Sequence, residues 1–342
     1  IFGLGKFYSS LFQKVIPSVS LIGMSLLDTH TGKSIPLVLR LLKANKLDKK
    51  DQVTKKPEVK KGKVGRPKGS KNKPYQEPKS ATFQLIKSLI QDLLRIFKQF
   101  DMNVQITYAV ADSYFGNKHY LKLIESSGFY FISKLRKNTH LVFPYEGIQN
   151  ALGRRKHLGN KVNFAKLPNK FRLEPKGAQK EEFKDSFIYQ FHAYHKNIPS
   201  KLLNIIILVN KKDPKKYAIL MSSDLELDAF TLIQYYRLRF QIEFSFREAK
   251  QYFGISHFQN YKENQVKFAT QFAYFMVLLS RILLDSAQKN LEIERLSIRD
   301  LKSLYRVSYI SNYFLNTSEN TPETIFNAPE LRAVARWEAV NL

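Results

Sequence analysis

Gln105–Leu135, QITYAVADSYFGNKHYLKLIESSGFYFISKL, decides the fold. Gln105–Ala111 is a short run rich in aromatic and β-branched residues that stops at Asp112, which predicts a strand. Asn117–Ser126 places apolar residues at helical spacing, and Gly128 closes that helix. Phe129–Leu135 is a second strand-like run, followed by the basic turn Arg136-Lys-Asn138. Strand, helix and strand in so short a stretch predict a parallel pair joined by a right-handed crossover. The class is therefore α/β, with a sheet flanked by helices.

On the N-terminal side, Val19–Leu27 and Ser34–Leu42 are apolar runs around Asp28-Thr-His-Thr-Gly-Lys33, which predicts an antiparallel hairpin. Thr82–Phe100 repeats apolar residues every three or four positions and predicts an amphipathic helix. On the C-terminal side, Leu141 to about Met221 is rich in strands and loops, with strands expected at Ile188–His195, Leu203–Val209 and Tyr217–Met221. Helices follow at Asp228–Phe253, expected as one long helix closed by Gly254, then at Asn264–Ala287 and Ser297–Phe314. This divides the chain into a first set of strands (1–42), a basic arm (43–79), a core segment (80–140), a β-rich insertion (141–221), core helices (222–290) and a helical C-terminal region (291–342).

Among the 342 residues there is no cysteine, which excludes disulfides and thiolate metal sites and suits a reducing compartment. Lys and Arg outnumber Asp and Glu by 56 to 29, a net charge of +27 that favours a polyanionic partner. A membrane partner is disfavoured: the most apolar helical run, Phe272–Leu284, is interrupted by Ser280 and Arg281 and falls short of the roughly 20 residues needed to span. Ile1–Ser20 lacks the ordered regions of a signal peptide. The chain opens on Ile-Phe-Gly without a methionine, so it is expected to be part of something longer.

Chemistry concentrates in DAFTLIQYYRLRFQIEFSFREAKQYFG, residues 228–254. At about 100° per residue, Tyr236, Arg239, Glu243 and Lys250 fall in a stripe roughly 60° wide. Leu232, Ile233, Phe240 and Phe244 flank it on one side; Ile242, Phe246 and Phe253 flank it on the other. Gln234, Arg237, Gln241, Ser245 and Glu248 take the opposite, solvent side. An ionisable stripe between apolar walls needs opposite charges, a metal or a bound anion. The plainer alternative is a surface helix with an Arg239–Glu243 pair at i,i+4. Asp112 argues for the metal, because ligand sites gather at the carboxyl ends of strands in α/β sheets. A strand-end Asp and a helical Glu suit a hard cation such as Mg²⁺. Tyr236, Arg239 and Lys250 would then hold phosphate oxygens beside it.

At these residues the chain resembles a known family. Tyr236-x₂-Arg239-x₃-Glu243-x₆-Lys250 matches the YREK signature of bacterial insertion-sequence DDE transposases, the group that includes the transposon-five and transposon-ten enzymes. YAVADSYFGNKHYLKLIESSGFYFISKLRKN is similar to that family's second-aspartate block. YAILMSSDLELDAFTLIQYYRLRFQIEFSFREAK is similar to its third-acid block, with Phe240 where a Trp often stands. The resemblance covers most of Val19–Leu284 and implies a ribonuclease-H-like mixed sheet, with a β-rich insertion domain before the last catalytic helix. It further implies Asp112 and Glu243 as catalytic, metal-binding acids for two Mg²⁺ (or Mn²⁺) ions. The partners implied are double-stranded DNA, both terminal inverted repeats and target, bound by a homodimer in the bacterial cytoplasm. The family's first acid precedes a hairpin like Val19–Leu42, and Ile1–Lys6 resembles the loop after it. The first Asp is thus expected upstream of residue 1, with Asp28 a weak substitute, and this chain is expected to be a weak catalyst or inert.

The arm Lys43–Lys79 carries 14 basic and 4 acidic residues, more than a third of the excess charge. Within it, Gly65-Arg66-Pro67-Lys68-Gly69 resembles the core of an AT-hook, in which Arg66, with Lys68, enters a narrow A·T minor groove. The alternative is a lysine-rich loop that binds any duplex by counterion release. His192 and His195 lie three apart on an expected strand and face opposite ways, against a zinc site. Two other functions stay open: a non-catalytic, transposase-derived DNA-binding protein, and a nuclease on the same fold.

Overall fold

The computed structural model describes residues 2–9, 12–42, 75–100, 104–149, 151–153, 155–257, 259, 261–291 and 296–316. Arg66, Lys68 and the rest of the expected AT-hook lie outside the described residues. The chain divides into two compact units, residues 1–44 with 240–342, and residues 45–239.

In the first unit, β1 (Leu4–Ser9), β2 (Lys14–Leu27) and β3 (Ser34–Leu42) form an antiparallel three-stranded sheet. The β2–β3 hairpin is the one expected, with Leu27 opposite Ser34 and Gly32 at φ 68° in its turn. Leu4–Lys6, within the stretch whose resemblance is to a loop, instead belong to β1, whose Leu4 pairs with Val19. Among the described residues the unit also holds the helices α5 (Gln241–Tyr252), α6 (Glu263–Leu291) and α7 (Ile298–Asn316). The core joins Leu39 of β3, Ala249 of α5 and Ala273, Tyr274 and Val277 of α6. Gly23 on β2 makes room for α5: a Cβ there would sit 3.1 Å from the Phe246 ring. α6 is longer than expected and is long and apolar enough, by length and composition, to cross a membrane. About 33% of its most apolar window is buried, and the buried face is the one that packs into this core. Tyr274 is buried and its hydroxyl lies 3.1 Å from Ser25 Oγ, while Arg281 is tied to Glu248 of α5.

The second unit holds an eight-stranded mixed sheet. Its strands are β4 (Tyr108–Ala111), β5 (Tyr130–Leu135), β6 (Leu141–Pro144), β7 (Leu158–Lys161), β8 (Arg172–Leu173), β9 (Ser186–His195), β10 (Ile198–Asn210) and β11 (Tyr217–Ser222), in the order β4-β5-β11-β10-β9-β6-β7 with β8 beside β9. β4 and β5 are parallel, Tyr108 opposite Tyr130, as the crossover reading requires; the other pairings are antiparallel. The strands of residues 141–221 thus continue the sheet that contains β4 and β5. Among the described residues the helices of this unit are α1 (Ala81–Gln99), α2 (Lys118–Ser126), the short α3 (Gln179–Glu182) and α4 (Ala229–Leu238). Ile132, Ile188, Ile206 and Leu220 from the strands bury Leu232 and Ile233 of α4. At about 25 cal/mol per Å² of apolar surface, such a contiguous aliphatic cluster is the main term holding α4 in place.

The single helix expected over Asp228–Phe253 is two helices, interrupted at Arg239-Phe240. There, the Arg239 N–H donates to Tyr236 O at 3.3 Å and the Glu243 N–H to Phe240 O at 3.0 Å, i→i+3 bonds that tighten the chain. The cause is phase. α4 buries Leu232 and Ile233, whereas α5 buries Ser245 and Ala249. On an unbroken helix, Ile233 and Ser245 would lie about 120° apart, so one straight rod cannot bury both.

Candidate active site

Asp112 follows the last residue of β4 and is exposed. Its Oδ1 accepts the Ser113 N–H at 2.7 Å. The backbone is pinned as well, since Asp112 O accepts the Ser133 hydroxyl at 3.0 Å and the Phe115 N–H at 2.9 Å. Ser133 is fully buried on β5, so the parallel partner strand fixes the loop that carries the acid. Gly116 completes the loop: a Cβ there would lie 2.7 Å from Lys134 O, closer than any side chain tolerates. Asn117 then caps α2 by accepting the His119 N–H at 3.1 Å. Ser133 was missed in the sequence, where it is one more residue of a strand. Gly116-Asn117, four and five positions after the acid, is the signal that marks the loop.

α4 positions Tyr236 and Arg239. Asp228 caps its start, accepting the Thr231 N–H at 3.0 Å. The preceding loop is anchored by fully buried Asn204 on β10, whose amide donates to Leu227 O at 2.8 Å while Gln190 donates to its carbonyl at 3.2 Å. Tyr108 donates to Asp224 Oδ2 at 2.6 Å; burial and this carboxylate push its phenol well above the usual range. So held, α4 brings Tyr236 and Arg239 together, the guanidinium 5.6 Å from the ring centroid. Both are half-buried. Gln234 and Arg237 face solvent as expected, and Arg237 pairs with Glu182.

α5 carries Glu243 and Lys250, both exposed and seven residues apart, hence on one face. The expected inward stripe does not continue here. Ser245 and Ala249 are the fully buried residues, and Phe244, read as an apolar wall, is 37% exposed like its neighbour Phe240 at 51%. Glu248, read as solvent-facing, is half-buried and accepts from Arg281 Nη2 at 2.7 Å. Small Ser245 and Ala249 are what α5 turns toward α6 and β3, and Glu243 and Lys250 are rotated outward.

Asp28 is committed to its own turn. Oδ1 accepts the His30 N–H at 2.9 Å and Oδ2 the Thr31 hydroxyl at 2.6 Å, and these bonds hold its carboxyl below the usual range. Such an acid builds a hairpin. His192 lies 3.0 Å from Leu225 O through Nε2, and among the described residues no group of three or more His, Asp or Glu is placed to hold a metal ion. By type, the carboxylate oxygens of Asp112 and of Glu243 each suit a hard cation, and the chain has no cysteine to favour a soft one.

The family model described as Transposase DDE domain matches residues 76–279, a span that includes Asp112, Tyr236, Arg239, Glu243 and Lys250. No curated protein matches the chain.

Proposed function

Because the chain belongs to the DDE transposase family, we propose that it is the catalytic region of an insertion-sequence transposase of the YREK type, built on a ribonuclease-H-like core and acting on double-stranded DNA. Its reaction is phosphoryl transfer. A water oxygen forms a bond to phosphorus as the bond to the 3′-oxygen breaks, and the freed 3′-hydroxyl later attacks a target phosphodiester in the same way. Asp112 and Glu243 would hold divalent cations, Mg²⁺ or Mn²⁺, which when bound make the attacking oxygen more nucleophilic and stabilise the leaving one.

The residues of the chain do the rest. Ser113 and Ser133 keep the Asp112 carboxylate presented at the end of β4. Arg239, braced on the Tyr236 ring, supplies a bidentate cation for a phosphate near the cut. Lys250 adds a point charge two turns along α5 from Glu243. A homodimer would bring two transposon ends together, and the basic arm with Arg66 and Lys68 would add grip on the duplex.

The observation that carries this reading is the strand-end acid at the mouth of a parallel pair, in one chain with a full Tyr-Arg-Glu-Lys pattern. A second reading, a transposase-derived DNA-binding protein that does not cut, is favoured by the lack of a three-ligand group among the described residues. Mn²⁺ binding followed by electron paramagnetic resonance separates the two. With duplex DNA present, binding is expected and should fall at least tenfold in Asp112→Asn and in Glu243→Gln. Equal Mn²⁺ affinity in the parent and both variants would refute the shared metal.

A further inference from the structure

Two adjoining cavities open beside Asp112. The first, about 370 Å³, is lined among others by Ser113, Tyr114, Arg136 and Lys196 of the β9–β10 turn. The second, about 710 Å³, is bounded by Lys137 and by Lys161-Val-Asn-Phe164. They share Asn138, Thr139 and His140, so one wall serves both. These volumes are in the range of ligand clefts and exceed what a lone ion needs.

The lining has one electrical sign. No Asp or Glu borders either cavity. Elsewhere in this unit lysines find acids, as Lys87 does Glu77 and Lys201 does Glu125. Arg136, Lys161 and Lys196 form no ion pair with an acid among the described residues, and all three are exposed. On the shared wall, Thr139 Oγ1 is buried and has no hydrogen-bond partner among the described residues. Phe164 and Lys137, which line the second cavity, both meet Tyr217 behind its lining: the Phe164 ring stacks on it, 5.8 Å between centroids, and Lys137 Nζ lies 5.1 Å from its centroid. Cations beside aromatic rings form a surface suited to nucleic acid.

We propose that the two cavities form one trough for the phosphodiester backbone of the DNA held at Asp112, running from Ser113 past Thr139 to Lys161. This rests on the transposase reading and adds to it where the DNA runs after leaving the acid. The contacts are to phosphates, so the trough holds and orients without reading sequence.

The test is fluorescence anisotropy of a labelled duplex with the full chain at several salt concentrations. Lys161→Ala with Lys196→Ala is expected to weaken binding about tenfold and to reduce the salt slope by about 1.8, at about 0.9 per phosphate contact. Lys161→Arg with Lys196→Arg should restore both values. Lys180→Ala with Lys212→Ala, exposed lysines that line neither cavity, should leave them nearly unchanged. Equal loss in the two alanine pairs, or none in the first, overturns the trough while leaving the transposase reading intact. Failure of the parent chain to bind any duplex overturns both.

Discussion

Replacing Glu248 tests which way α5 faces, and with it where Glu243 is presented. If helical phase ran unbroken from Asp228, Glu248 would be a solvent residue and its removal would change stability by less than about 0.5 kcal/mol. In the structure, Arg281 donates to Glu248 Oε2 through Nη2 at 2.7 Å and Nε at 3.2 Å, and its remaining arm reaches Ser34 O. One guanidinium thus joins α5, α6 and the start of β3. The two side chains are 23% and 27% exposed. That places the pair between the exposed limit, about 0–1 kcal/mol, and the buried limit, where breaking one partner costs about 3–5. A loss of about 2 kcal/mol is expected for Glu248→Ala, or roughly 4–8 °C in Tm for a unit of this size. Urea unfolding of Glu248→Ala, Arg281→Leu and the double variant, followed by circular dichroism, measures it. The double variant should lose less than the sum of the singles, because no charge is left half-buried alone. Lys250→Ala, two residues away and exposed, should be near neutral. A Glu248→Ala variant as stable as the parent would refute the phase assigned to α5.

Further outcomes follow from the loop and from the turn beside the trough. Gly116→Ala puts a Cβ 2.7 Å from a backbone oxygen that cannot swing aside; about 1–3 kcal/mol of stability should be lost in thermal melts, with Mn²⁺ affinity at Asp112 falling alongside. His195 is held below its ordinary 6.5 by burial and then by His140. The unfolded chain therefore takes up this proton before the folded one does. Its contribution is complete above about pH 6.5 and is lost as pH falls through the folded value, so His195→Gln should flatten the decline in Tm from about pH 7 to about pH 5. An identical decline in parent and variant would count against that assignment.

Elements with their own local signal were legible in the sequence. The β2–β3 hairpin is announced by a six-residue polar turn whose Asp28 and Gly32 do what such residues do in turns. The β4–α2–β5 crossover is announced by Asp112, Asn117 and Gly128, the last at φ 89°. What was not legible depends on partners distant in sequence. Nothing near Asn204 says that its amide holds a loop more than twenty residues later, and nothing near Ser245 says that α6 and β3 will bury it. Periodicity gives the angle between residues of one helix, not the direction of the core. Where the core changes side, as it does between Ile233 and Ser245, the pattern misreads one half of the helix.

The same reasoning separates the two kinds of nearness in the candidate site. Arg239 and Glu243 are four residues apart, so the chain itself limits their Cα atoms to about 14 Å whatever the packing. The interruption at Arg239-Phe240 frees each half to answer to its own neighbours: Tyr236 to the aliphatic cluster under α4, and α5, with Glu243 and Lys250, to its small-residue face of Ser245 and Ala249. The spacing of the four residues is therefore a tether rather than a rigid template. Asp112 has no such tether to Glu243, because 131 positions separate them. Lengthening the tether tells the two dependences apart. One Ala inserted after Phe240 shifts the phase of α5 without touching β4, and it should abolish the Glu243 contribution to Mn²⁺ binding while Asp112 stays folded in its loop. Equal loss of the Asp112 loop, read by exchange of the Ser113 and Phe115 amides, would show that α4 and α5 do not answer to separate neighbours after all.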